Sequence, residues 1–152
     1  MNRAATAMVV SFSLLLTLAG EKPARAEARE FLEYSGDETL CETEMAHLDS
    51  YAIEVQNRPK ATAYIIVYGG QHGTAWHEMR QRRARIRRYL VKNRDLEPRR
   101  VHVVNGGFRE KVTVELWLVA SGEKLPEPTP TVSSKYVKYK RTRAQFTCSS
   151  FY

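Results

Sequence analysis

The apolar positions fall into blocks of two periods. Ala61 to Tyr68 (ATAYIIVY) is a nearly continuous β-branched and aromatic run, without polar alternation. That pattern predicts a central strand covered on both faces. Before it, Met45, Leu48, Ala52 and Val55 recur at steps of three and four, which gives one helical face. Thr39 and Glu42 have capping-box spacing at its start, and Asn57 and Pro59 mark its end. Phe31-Leu32-Glu33-Tyr34 predicts a short, edge-like first strand, followed by a Ser35-Gly36-Asp37 turn.

After the central strand, Gly69-Gly70 and Gly73 predict a turn, and Thr74 is placed to cap a second helix. Along that helix Ala75, Met79, Ile86 and Leu90 share a face, with Arg83 on the same stripe. Arg80, Arg82, Arg85, Arg87 and Arg88 cover its flanks, and Asn93 and Pro98 close it. Arg100 to Val104 is a third strand candidate before an Asn105-Gly106-Gly107 turn, and Val112 to Val119 is a fourth. The pattern predicts an α/β layer structure, an α+β sandwich: a mixed sheet with two main helices in the order β-α-β-α-β-β.

The ends differ from this core. Arg3, the uncharged run Ala7 to Gly20 and the small-x-small Ala24-Arg25-Ala26 read as a secretory signal peptide over residues 1–26, cleaved after Ala26 or after Gly20. The run of about 14 residues is short of the ~20 that span a bilayer, so no transmembrane segment is expected in the mature chain. The expected domain is then 27–120. Residues 121–134, with prolines 126, 128 and 130, read as an extended Pro/Thr-rich linker, and 135–152 as a basic aromatic C-terminal tail.

Composition adds charge. The 152 residues carry 24 Lys+Arg against 17 Asp+Glu, a formal net charge of +7. Losing Arg3, Lys22, Arg25 and Glu21 with the signal leaves 21 against 16, a net of +5. Such a balance favours anionic partners. Export argues against nucleic acid and places the protein in the periplasm or cell envelope. Export also bears on Cys41 and Cys148. In an oxidising compartment they read as a disulfide closing a loop of more than 100 residues, worth about 4–5 kcal/mol in the chain-entropy model, with two free thiols as the other reading.

Candidate chemistry is sparse. The glycine turn ahead of a helix is either an anion cradle or a simple tight turn; it lacks the Lys-Ser/Thr of a P-loop. The arginine cluster at 80–88 is either a binding surface for carboxylates and phosphates or a solvated basic face. His72 and His77 stand five apart, which does not put two imidazoles on one helical face. No metal, cofactor or catalytic constellation is expected. Glu42, Glu44 and Asp49 read as a solvated helix face, Glu110 and Glu115 as outward-facing, and Trp76 and Trp117 as packing residues.

The helix–strand–turn–helix unit resembles the OmpA-like C-terminal domain, the peptidoglycan-associating module of envelope proteins. The resemblance covers roughly 39–119 and rests on Leu48-Asp49…Ala52, Asn57…Pro59 and RRARIRRYLVKNRDLEPRRVHVVNGG. It points to a divergent exported subgroup. In that family an aspartate in a G-H-T-D turn holds the ammonium of diaminopimelate, and a helix arginine holds its carboxylate. The resemblance puts the arginine at Arg82 when the helix is anchored on Ile86, Tyr89 and Leu90, or at Arg83 when the Arg-Ala dipeptide is matched. The aspartate is missing, since the turn reads Tyr68-Gly69-Gly70-Gln71-His72-Gly73. The expected site is therefore an anion site of Arg82, Arg83, Gly69, Gly70 and His72. The expected function is a non-catalytic envelope module binding peptidoglycan or another anionic surface polymer. The alternative is an interaction module docking an envelope protein through its basic tail.

Overall fold

A computed structural model describes residues 28–36, 41–75 and 77–140. The segment expected to be a signal peptide, Thr39, Trp76, Cys148 and the tail from 141 lie outside the described residues.

The long apolar run becomes strand β2 (Thr62–Gly70), buried from Ala63 onward. Its two faces feed two clusters. Ala63, Ile65 and Val67 join the main core, while Tyr64, Ile66 and Tyr68 build a smaller one on the opposite side. This is the double coverage that a continuous apolar strand requires. Two edge-to-middle relationships complete the sheet, whose strand order is β1-β5-β2-β4. β1 (Arg29–Ser35) pairs antiparallel with β5 (Thr113–Val119), β5 pairs antiparallel with β2, and β2 runs parallel to β4 (Val101–Arg109). A parallel pair needs a crossover, and the second helix supplies it. The result is a mixed four-stranded sheet with two helices, an α+β fold in roughly the expected β-α-β-α-β-β order.

Helix α1 (Cys41–Gln56) buries Leu48, Tyr51, Ala52 and Val55 against one sheet face. Glu44 takes the first buried position of that stripe, one residue before the expected Met45. The Tyr51 hydroxyl donates to the Trp117 carbonyl at 2.6 Å, tying α1 to β5. At the far end the Arg100 guanidinium donates to the carbonyls of Val55 and Arg58, a second donor for each beside the backbone amides of Arg58 and Ala61.

Three boundaries differ from expectation. Gly69 and Gly70 do not turn; they end β2 in register with Phe108 and Arg109. A short strand β3 (His72–Ala75) follows, so Thr74 lies in a strand, and α2 starts later, at Glu78, running to Arg88. A π-helical turn, Tyr89–Asn93, extends it. Likewise Gly106 and Gly107 do not end β4, which continues to Arg109. Gly106 lies under the Tyr68 ring: a Cβ there would come within 2.5 Å of Tyr68 and 2.7 Å of Ile66. The glycine serves close packing across strands, where the sequence reads as a turn.

The end of the proline-rich segment, from Thr129 onward, lies on the sheet. The amides of Thr131 and Val132 both donate to the Phe108 carbonyl at 3.0 Å, and Val132 bridges Phe108 at the β4 edge. The chain then forms a 3-10 turn, Ser134–Tyr136, and a last strand, β6 (Lys138–Lys140), parallel to β3 in a separate two-stranded sheet. Where composition suggests a spacer, the structure has a strap.

Candidate functional site

The phase of α2 decides which arginine meets the core. Its buried residues are Met79, Arg82 and Ile86, with Tyr89 and Leu90 following. Starting the helix at Glu78 leaves Ala75 off the stripe, and Arg82, spaced three and four from Met79 and Ile86, occupies the buried face that the apolar pattern assigned to Arg83. Arg82 is only 5% exposed.

A buried guanidinium needs partners, because the desolvation of a charge is costly. Arg82 donates to the Gly36 carbonyl at 2.9 Å, and its Nη1 lies 3.9 Å from Glu44 Oε1. Arg85, one turn along, donates to Glu44 Oε2 at 2.9 Å. The Tyr34 hydroxyl donates to Glu44 Oε1 at 3.3 Å. Burial first, then the neighbouring Glu44 charge, hold the Tyr34 phenol well above its ordinary range. Glu44 is thus no part of a solvated face: at 3% exposure it is the carboxylate that two arginines share. Gly36 fits the same packing, since a Cβ there would overlap Arg82 Nη1 at 1.8 Å.

The other expected site residues lie apart from this cluster. Gly69 and Gly70 are buried in β2, and a Cβ on Gly69 would meet the Phe108 ring at 2.7 Å and Met79 Sδ at 3.3 Å. The glycine pair therefore packs a strand end under Phe108 and the first turn of α2. His72 is exposed at the start of β3, opposite Lys138. Arg83 is half-buried, and its Nε donates back to the Met79 carbonyl of its own helix at 3.4 Å. Arg82 turns toward Gly36 and Glu44, so the structure does not gather the five residues around one point. Cys41 opens α1, and its expected partner Cys148 lies outside the described residues.

The outward side of α2 is different. Arg80, Arg87 and Arg88 are exposed, Arg83 sits between them, and Lys92 continues the basic character into the π-helical turn. Between residues 78 and 93 Glu78 is the single acid. Arg80, Arg83 and Arg87 are spaced three and four apart, so they form one row along the helix.

Two further charged networks escape the sequence pattern. On the sheet face away from the helices, Arg109 donates to Glu33 at 2.8 Å, to the Thr129 hydroxyl at 2.7 Å and to Glu115. Its guanidinium carbon stands 3.7 Å from the centre of the Tyr68 ring. Glu115 also accepts from Tyr68 at 3.2 Å and from the Trp117 indole at 3.0 Å. It does face outward as expected, but the strap covers it. Burial opposes the charge of Arg109, and Glu33 and Glu115 more than offset it, holding the guanidinium charged. Burial, reinforced by Glu115 and Glu33, raises the nearby Glu30 above the usual carboxylate range. The second network joins α1 to the π-helical turn: Arg94 grips both oxygens of Asp49 at 2.5 Å, and the Tyr89 hydroxyl donates to Asp49 at 2.6 Å. The only hint of either network was an alternating Glu115-x-Trp117 and a lone Asp49, both common on solvated faces.

Compared with known proteins, the chain matches no family model and no curated protein. Among the described residues, no group of three or more metal-ligating side chains comes together, and no helix is long and apolar enough to cross a membrane.

Proposed function

We propose that the chain is an exported, non-catalytic module of the cell envelope, of OmpA-like architecture, that binds peptidoglycan or another anionic surface polymer through α2. The observation that carries this reading is the outward row of exposed Arg80 and Arg87 with half-buried Arg83 between them, flanked by Arg88 and Lys92 and opposed along residues 78–93 by Glu78. Guanidiniums present planar pairs of donors that suit carboxylates and phosphates. A row of them on a rigid helix offers several such contacts at helical spacing. The sequence of residues 1–26 supports delivery to the envelope.

The reading differs from a two-charge diaminopimelate clamp. Of the two candidate arginines, Arg82 is engaged with Glu44 inside the protein, and Arg83 belongs to the outward row. Binding would then be polyvalent and salt-sensitive, with several moderate contacts in place of one deep pocket. Co-sedimentation of the full chain with purified sacculi tests it. Pelleting at low ionic strength and release by salt are expected; no pelleting at low ionic strength would overturn the reading.

A further inference from the structure

Large apolar side chains exposed among the described residues are Ile53, Leu125, Tyr136 and Tyr139. Two of these four fall within one short stretch, Lys135 to Tyr139, which carries two lysines and no acid. Tyr136 is 60% exposed and Tyr139 39% exposed. The Lys135 ammonium covers one face of Tyr136 at 4.8 Å, and Tyr139 meets Phe108 edge-on at 6.1 Å.

This display stands on fixed backbone. Tyr136 N–H donates to the Ser133 carbonyl at 2.9 Å, Val137 N–H to Ser134 at 3.2 Å, and Lys138 N–H to Gln71 at 2.8 Å. Upstream, Thr131 and Val132 are held to Phe108. β6 pairs with β3, which puts exposed His72 opposite Lys138. An aromatic ring held out to water on pinned backbone loses little freedom on meeting a ligand, which is how preorganisation aids binding.

We infer that Tyr136 and Tyr139, with Lys135 and Lys138, form a second contact surface that takes the sugar rings of an anionic glycan. A pyranose presents an apolar C–H face that stacks on a tyrosine ring, while its hydroxyls and carboxylates suit tyrosine hydroxyls and lysine ammoniums. Charge complementarity favours an acidic polymer. The ring chemistry favours sugar over a lipid surface: both side chains carry polar hydroxyls, and the exposed aliphatic residues Ile53 and Leu125 belong to other segments, α1 and the start of the strap. The inference rests on the reading of the chain as a binder of anionic envelope polymer, and it names the saccharide as the part recognised here.

The probe is chitohexaose, an uncharged N-acetylglucosamine oligomer, titrated into the isotope-labelled full chain by NMR. Shifts of the resonances of Tyr136 and Tyr139 are expected. Tyr136→Ala with Tyr139→Ala should weaken binding at least tenfold, Tyr136→Phe with Tyr139→Phe should retain most of it, and the triple variant Arg80→Ala/Arg83→Ala/Arg87→Ala should leave it unchanged. Both tyrosines are exposed, so thermal melting of the variants should match wild type. No shift with chitohexaose, or wild-type affinity in the double alanine variant, would overturn the inference. So would binding confined to anionic phosphatidylglycerol vesicles. Sedimentation with sacculi, lost in the arginine variant, reports separately on the arginine surface.

Discussion

Arg82 Nη1 and Glu44 Oε1 lie 3.9 Å apart inside the protein, on facing helices, with Arg85 holding the other carboxylate oxygen at 2.9 Å. Two guanidiniums and one carboxylate thus join α1, α2 and, through the Gly36 carbonyl, the end of β1. Removing one partner of a buried ionic group costs about 3–5 kcal/mol. Glu44→Gln and Arg82→Ala should therefore each lower the urea midpoint strongly, and Arg83→Ala should change stability by less than about 0.5 kcal/mol. Equal midpoints for the Arg82 and Arg83 variants would contradict the assignment.

The strap gives a second prediction. Arg109 holds Thr129 through two hydrogen bonds while it pairs with Glu33 and Glu115. Arg109→Ala should destabilise by about 2–4 kcal/mol, as expected when a largely buried, hydrogen-bonded charge is truncated. Faster amide exchange should be concentrated at Thr131 and Val132, whose N–H groups donate to Phe108. Unchanged exchange there would show that the strap is held by other means.

Gly106 offers a steric test. A Cβ at this position meets Tyr68 and Ile66 well inside contact distance. Gly106→Ala should cost about 1–3 kcal/mol by overpacking, measured by denaturant unfolding. A neutral substitution would contradict the close packing of Gly106 under Tyr68.

Tyr89 gives a pH prediction. Burial, then its hydrogen bond to Asp49, pushes the phenol up to about 12. A raised folded-state value leaves its contribution intact below the unfolded value near 10, and stability should fall between about pH 10 and 12. For Asp49, burial acts to raise the carboxyl, but the donors Arg94 and Tyr89 outweigh it and hold it below the usual range. Its contribution is present above about pH 4 and is lost as the pH falls through the depressed value. In Asp49→Asn the ultraviolet titration of Tyr89 should move down toward 10, with burial keeping part of the shift. An unmoved titration would remove Asp49 from the account.

The elements with long, regular patterns were legible: the continuous β2, the stepped apolar face of α1 and the early alternation of β5 gave the architecture directly. Glycines misled locally. Gly69-Gly70 and Gly106-Gly107 have the composition of turns, yet the structure uses them for close approach inside strands. Charges misled more. Arg82 and Glu44 look like surface residues until the helix phase and their mutual contact are known, and that contact spans 38 residues of sequence. The strap was invisible because prolines specify an extended chain and say nothing of what it lies on.

Co-sedimentation with purified sacculi at low ionic strength, comparing wild type with Arg80→Ala/Arg83→Ala/Arg87→Ala, tests the central claim most directly. The three side chains lie on the outward row of α2, so the variant should melt close to wild type and lose at least tenfold in bound fraction. Wild-type pelleting by the triple variant, or no pelleting by either protein, would contradict binding through α2.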